Sequence, residues 1–278
     1  LLARKYNRLH GVIHPWTLQD RAFGHFHMDS STGRVVSSDD NLHNLPTGVR
    51  PGDIVPKAGP VRRVFVPDTG KFTRWDLSQV ELRVLAFLSN DRNMQRVLAE
   101  GDIHAYTQKA LQLPSRVQAK NFNFGLPYGG GLEILSQFTG IKDMKLLARY
   151  REQMIRTYPV MFAYCERQRE IGLRDMQVTT LFGRTLKMPT QFADNKSEQA
   201  MTRHIGNCAI NFPIQGSASE IFKRIRIALL ARIPIEDYVL QVHDEQLHDG
   251  EYDIPKEELA HIAPFYTPME VKVSERWA

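Results

Sequence analysis

Phe72-Thr73-Arg74-Trp75-Asp76-Leu77-Ser78-Gln79-Val80-Glu81-Leu82-Arg83-Val84-Leu85 changes its period in mid-run. Phe72 to Trp75 reads as a short strand. The turn Pro67-Asp68-Thr69-Gly70 separates it from a second β-rich run, Arg62 to Val66. From Ser78 to Leu88 the apolar residues Val80, Leu82, Val84, Leu85 and Leu88 recur at helical spacing. A strand therefore runs straight into a helix, and Asp76 stands at the junction.

A comparable junction lies near the other end. Tyr238 to His243 is β-rich and Asp244-Glu245 follows it directly, as at the tip of a hairpin, while Met269 to Val273 reads as a last strand. Between them the pattern predicts helices over about 104–112, 115–126, 143–157, 159–175 and 197–231, with Pro159 and Pro189 as breakers. Residues 29–60 are rich in Ser, Gly, Asp, Asn and Pro and favour turns and extended backbone. Strands at both ends flanking a helical middle predict an α+β fold whose sheet is assembled from distant segments.

At 278 residues the chain allows one large domain or two small ones, and its 42% hydrophobic and 24% charged residues exclude a disordered chain. No run approaches the roughly 18 apolar residues that span a bilayer, and Leu1-Leu2-Ala3-Arg4-Lys5 lacks the order of a secretion signal, so a membrane protein is not expected. Cys165 and Cys208 are too few for a disulfide framework or a cysteine zinc site, which suits a reducing compartment. The net charge of +5 hides a division. Residues 1–74 carry 11 basic and 6 acidic side chains, residues 75–232 carry 22 and 14, and residues 233–278 carry 3 and 11. A basic body with an acidic end suits a polyanion partner and a separate carboxylate site for divalent metal, although a solvated acidic tail gives the same arithmetic.

Asp76 and Asp244 each stand at a strand end, where a carboxylate can point its oxygens at Mg²⁺, a cation that binds through one or two carboxylates plus substrate phosphates. Carboxylates from two strands can share two such ions roughly 4 Å apart, which stabilises the attacking and leaving oxygens of an in-line phosphoryl displacement. Either residue alone is also a competent helix or turn cap. Arg116, Lys120, Phe124 and Tyr128 are spaced by four, so on a helix they share one face: two cations for a triphosphate, a flat ring for a base or sugar, then a hydroxyl. A plain amphipathic helix would place apolar residues there.

These residues carry a family resemblance. Asp76 to Arg83 resembles motif A of family A DNA polymerases, the bacterial polymerase I type; Arg116 to Gly129 resembles motif B on their O helix; and Gln241-Val242-His243-Asp244-Glu245 resembles motif C. Thr32-Gly33-Arg34, Ser37-Ser38-Asp39, Asn41 to Pro46, Asp102-Ile103-His104, Thr180 to Arg184 and Asn211 to Gly216 agree as well. The resemblance implies an α+β fold: a polymerase palm with an antiparallel sheet, residues 1–85 and 217–278, with a thumb remnant at 1–24, and an inserted helical fingers subdomain at 86–216. Most of the thumb and the exonuclease domains would be absent.

The implied activity is template-directed addition of dNTPs to a primer 3′-OH with release of pyrophosphate, using two Mg²⁺ ions for which Mn²⁺ can substitute. Asp76 and Asp244 would hold the metals with the Leu77 carbonyl, and Glu245 would belong to the catalytic set. Arg116, Lys120 and His104 would bind the triphosphate, Phe124 would stack on the nucleotide, and Gln79 would join that site. Glu81, hydrogen-bonded to Tyr128, would occupy the space a ribose 2′-OH needs. Phe rather than Tyr at 124 implies discrimination against chains lacking a 3′-OH. Arg34, Asn41, Asn44, Arg184, Asn211, Gln215 and His243 would contact primer-template DNA, in part through minor-groove acceptors common to all base pairs. The remaining histidines, including His10, His14, His25 and His27, read as solvated or packed.

Leu77 stands where cellular relatives usually carry Tyr, and Asn207 where many carry Arg, with Arg203 as a substitute one turn earlier. Pro127 before Gly129-Gly130-Gly131 must end or kink the motif B helix, and its hinge is expected to tune fingers closure. Two rival readings are a non-processive DNA-binding fragment that needs a missing thumb, and another template-directed enzyme on the same palm, such as a reverse transcriptase. The resemblance places the protein in the cytoplasm or nucleoid, or in viral replication machinery within a host cell.

Overall fold

The structure, a computed structural model, describes residues 21–38, 41–45, 62–190 and 197–277. The expected thumb remnant lies almost wholly outside the described residues, as do His10, His14, Asp39 and Pro46. The chain divides into two compact units, Leu1–Ser78 with Ser219–Ala278 and Gln79–Ala218. In chain order the described strands are β1 (His25–His27), β2 (Val36–Ser38), β3 (Phe72–Leu77), β4 (Gln177–Thr179), β5 (Thr185–Lys187), β6 (Tyr238–Val242), β7 (Glu245–Asp249) and β8 (Met269–Ser274). The described helices are α1 (Val80–Ser89), α2 (Arg92–Glu100), α3 (Ile103–Leu111), α4 (Arg116–Gly125), α5 (Leu132–Thr139), α6 (Met144–Thr157), α7 (Pro159–Asp175), α8 (Glu198–Leu229) and α9 (Lys256–Leu259).

The first unit is built on an antiparallel sheet in the order β6-β7-β3-β8. Its central strand, β3, pairs with two segments that lie far off in sequence, so the sheet is assembled from distant pieces as expected. Period-two alternation puts Phe72, Arg74 and Asp76 on one face and Thr73, Trp75 and Leu77 on the other. Phe72 joins Leu42, Leu45, Leu240, Val242, Leu247 and Trp277 in one buried cluster. On the opposite face the Trp75 ring packs 4.6 Å from Phe222 of α8, and its indole N–H donates to Nε2 of the fully buried His248 at 3.0 Å.

Among its described residues the second unit is built of helices apart from the β4–β5 hairpin. Its helix starts are capped by side chains that take up free amides: Asp91 accepts from Met94, Asp102 from His104, Ser115 from Gln118 and Asp143 from Leu146. Asp91 is buried and also accepts the amide of Met161 at 3.0 Å, so one carboxylate serves the first turns of α2 and α7. Pro159 opens α7 at a position where its missing N–H is harmless. Leu82, Leu85, Ile103, Phe122, Leu135 and Leu147 fill the interior.

Several expectations are corrected. Arg62–Val64 is a 3₁₀ turn rather than part of a strand. Its cause is long-range, because Arg62 is buried 3.5 Å from Glu245, 4.3 Å over the Trp277 ring and bonded to the Leu45 carbonyl at 3.3 Å. β3 runs on to Leu77. Helix α1 begins at Val80 because Gln79 adopts a left-handed conformation, φ 56°. Helix α4 ends at Gly125, so Tyr128 lies in the turn beyond it and not on a four-residue stripe. Pro127 likewise sits in that turn, which the amide of Gly130 closes by donating to the Gly125 carbonyl at 2.8 Å. A Cβ at 130 would stand 2.5 Å from that carbonyl oxygen, so glycine is required there.

Candidate active site

In the first unit the β6–β7 turn brings the second carboxylate motif to the end of the first. His243 takes a left-handed conformation (φ 54°) that reverses the chain, and the Asp244 carbonyl accepts the Leu77 amide at 3.1 Å. Asp76 is paired across the sheet with Glu245 on one side and Glu270 on the other. Burial first, then the carboxylates of Asp244 and Glu245, push the Asp76 carboxyl up to about 7. Asp76, Asp244 and the Leu77 backbone offer hard oxygens with excess negative charge, a donor set that fits Mg²⁺. Among the described residues no group of three or more His, Cys, Asp or Glu forms a cage for a metal. Two carboxylates suffice for Mg²⁺ when water and phosphate complete its shell.

The two remaining acidic-site neighbours differ in role. Arg34 Nη2 lies 3.7 Å from Asp244 Oδ1, and the Thr32-Gly33-Arg34 turn is held by Ser219 Oγ and Lys223 Nζ, which donate to the Gly33 carbonyl at 2.9 and 2.6 Å. The Glu245 side chain is tied down by Arg74 at 3.2 Å, Arg62 at 3.5 Å and the Trp277 indole N–H at 2.9 Å. Its oxygens are thus already engaged within the protein.

In the second unit Arg116 and Lys120 extend from α4 as exposed cations, and Lys120 Nζ lies 6.0 Å from the centre of the Phe124 ring. Arg116 Nε donates to Asp102 Oδ2 at 2.5 Å, and Gln79 Nε2 donates to Asp102 Oδ1 at 3.2 Å. Burial opposes ionisation of Asp102, but the Arg116 bond and the His104 amide hold its carboxyl below the usual range. His104 is buried 5.8 Å from the Phe124 ring, and burial, abetted by Arg116 and Lys120 against Asp102, lowers it to about 4. At neutral pH its imidazole is uncharged. Tyr128 donates to Glu81 Oε2 at 2.8 Å.

Of the residues expected to touch DNA, Asn41 precedes and Asn44 ends the 3₁₀ turn Leu42–Asn44, and His243 packs its ring 5.5 Å from buried His43. Arg184 closes the β4–β5 turn, with its guanidinium 3.3 Å from where a Cβ at Gly216 would stand. Asn211 and Gln215 are half-buried on α8. Sequence reasoning missed Asp102 as the Arg116 partner, Asn123 as the His104 partner, and the Arg62–Glu245–Trp277 cluster. Asn123 left a signal, a polar residue among the buried helix positions Ala119 and Phe122. The cluster joins residues too far apart in sequence to leave one.

Carboxylate oxygens at a strand–turn junction can hold a divalent cation, and exposed cations beside an aromatic ring can bind phosphate. The family model for DNA polymerase family A matches residues 2–273, and the chain belongs to that family. It is 35% identical over 282 residues to the thermostable DNA polymerase I of Thermus filiformis, which covers 94% of this chain and 32% of the relative. It is 33% identical over 254 residues to the DNA polymerase I of Pseudomonas aeruginosa, covering 84% of this chain and 26% of the relative. The chain thus spans about a third or less of these relatives. Among solved structures it is similar to the POL domain of Pol1 from M. smegmatis in complex with DNA primer-template and dNTP, with a TM-score of 0.81 and 24% identity over 99% of this chain and 51% of that one. Among the described residues no helix is long and apolar enough to cross a membrane.

Proposed function

We propose that the chain is the palm and fingers part of a DNA-directed DNA polymerase, the first unit serving as palm and the second as fingers. It would add dNTPs to a primer 3′-OH on a template, with primer-template DNA and dNTPs as partners, as in the mycobacterial complex. The observation that carries this is the main-chain bond between Leu77 and Asp244, which joins the two carboxylate motifs at one end of one sheet.

Asp76 and Asp244 would hold Mg²⁺ together with the Leu77 carbonyl, and Mn²⁺ can take the same oxygen ligands. A metal held there would supply a lowered pKa for the primer hydroxyl and charge stabilisation for the leaving pyrophosphate. Arg116 and Lys120 bind the triphosphate and offset the charge that develops on it, for which Arg116 must exchange Asp102 for phosphate. Phe124 offers its face to the nucleotide. Glu81, held by Tyr128, bars the ribose 2′ position.

Primer extension by the 278-residue chain, with Asp76→Asn and Asp244→Asn as controls, tests the reading. Extension lost in both variants while DNA binding persists supports it, and full activity in either overturns it. DNA binding without extension by the parent chain favours instead a binding fragment that needs a thumb, and equal extension on an RNA template favours reverse transcription.

A further inference from the structure

Asn123 occupies the face of α4 that otherwise buries Ala119 and Phe122, and it is itself 2% exposed. A buried amide is tolerated only when its donors and acceptor are met. Thr107 Oγ1 donates to its Oδ1 at 2.9 Å, while its Nδ2 lies 2.9 Å from His104 Nδ1 and 3.4 Å from the carbonyl oxygen of Ile103. That carbonyl can only accept, which fixes the nitrogen end of the amide. An amide nitrogen can only donate. His104 Nδ1 is therefore the bare, accepting nitrogen, and the single proton of the neutral ring sits on Nε2.

We infer that Asn123 is a positioning residue that holds His104 as the Nε2–H tautomer, so that the ring presents a neutral, directed donor to an anionic oxygen brought in by Arg116 and Lys120. The inference rests on the reading of His104 as a triphosphate contact and supplies the nitrogen that makes it. Arg116 and Lys120 provide charge. A neutral N–H adds direction without placing a third positive charge beside them. Asp102, the other charged group facing the ring, accepts the backbone amide of His104 and leaves the imidazole to Asn123.

Long-range ¹H–¹⁵N correlation spectra of the ¹⁵N-labelled 278-residue chain at neutral pH read the tautomer directly, with His104 assigned by its loss in His104→Gln. The expected spectrum has an unprotonated Nδ1 and a protonated Nε2. Asn123→Asp puts an acceptor where the donor was, so a proton must appear on Nδ1 and dATP affinity, measured by titration calorimetry, should fall about tenfold. His104→Gln, whose amide nitrogen can stand in for Nε2–H, should keep affinity within about threefold, whereas His104→Ala should lose about tenfold. A wild-type ring protonated on Nδ1, or a tautomer unmoved by Asn123→Asp, overturns the inference; if Asn123→Asp fails to fold, the wild-type spectrum alone decides. If the tautomer is as expected but His104→Ala binds dATP normally, Asn123 still sets the ring and the triphosphate reading of His104 falls.

Discussion

The Trp277 indole N–H donates to Glu245 Oε1 at 2.9 Å, and the same ring lies under the Arg62 guanidinium at 4.3 Å. Glu245 adjoins Asp244, so a residue near position 278 braces the turn that carries a proposed metal ligand. Trp277→Phe keeps most of the apolar packing but leaves a buried carboxylate oxygen one donor short. That should lower stability by about 1–3 kcal/mol, read from urea unfolding. An unchanged midpoint would show that the bond contributes nothing.

The crowding of Asp76 by Glu245 and Glu270 on its two neighbouring strands predicts a trade between stability and function. Without divalent metal, Asp76→Asn removes one of several like charges and should stabilise the protein by about 1–2 kcal/mol. With Mg²⁺ present the parent chain should gain stability and the variant should not. Extension by the variant should fall by at least about a hundredfold. Thermal melts with and without Mg²⁺, alongside the extension assay, check all three.

Glu81 and Tyr128 offer a selectivity test within one unit, since their 2.8 Å bond fixes where the carboxylate stands. Glu81→Ala should raise ribonucleotide incorporation by about tenfold or more relative to deoxynucleotide incorporation. Tyr128→Phe, which keeps the ring and removes the donor, should give a smaller change in the same direction. Single-nucleotide incorporation with matched dNTP and rNTP measures both, and unchanged discrimination in Glu81→Ala would remove the gate.

His248 gives the pH dependence. Burial above all, with Arg226 adding and Asp237 opposing, lowers its pKa to about 4 from an ordinary 6.5. A lowered folded-state pKa means the contribution to stability is complete above pH 6.5 and is lost as pH falls from there towards 4, where the unfolded chain binds a proton that the folded chain refuses. The full effect is about 3 kcal/mol. His248→Gln, which keeps an acceptor for the Trp75 indole, should flatten the urea midpoint between pH 7 and 4.5. A slope equal to that of the parent chain would assign the loss to other groups.

What the sequence made legible follows the range of the interactions involved. The β3–α1 junction and the β6 hairpin tip could be read because local period and turn residues decide them. Helix α2 carries a helical pattern, with Met94, Val97 and Leu98 at helical spacing behind the Asp91 cap, yet neither it nor α5 is among the expected helices. At Arg62 the local β preference is outweighed by partners, Glu245 and Trp277, that lie far away in the sequence. The spacing of four persists from Arg116 to Tyr128, but proline cannot extend the hydrogen-bond ladder, and the helix ends before Pro127. In the candidate site the exposed cations and carboxylates were legible as chemistry. The partners that aim them are harder to read: half-buried Asp102 meets Arg116 only in three dimensions, and buried Asn123 shows in the sequence as a polar residue on an apolar helix face but not as the partner of His104.

The tie between Leu77 and Asp244 is written in peptide groups alone, N–H to C=O. Any residue but proline can form it, so the register of the two aspartate motifs does not depend on which side chain stands at 77, and the buried Leu77 side chain answers only to the packing around it. Leu77→Pro is the one substitution there that would cut the tie outright, since it deletes the donor itself.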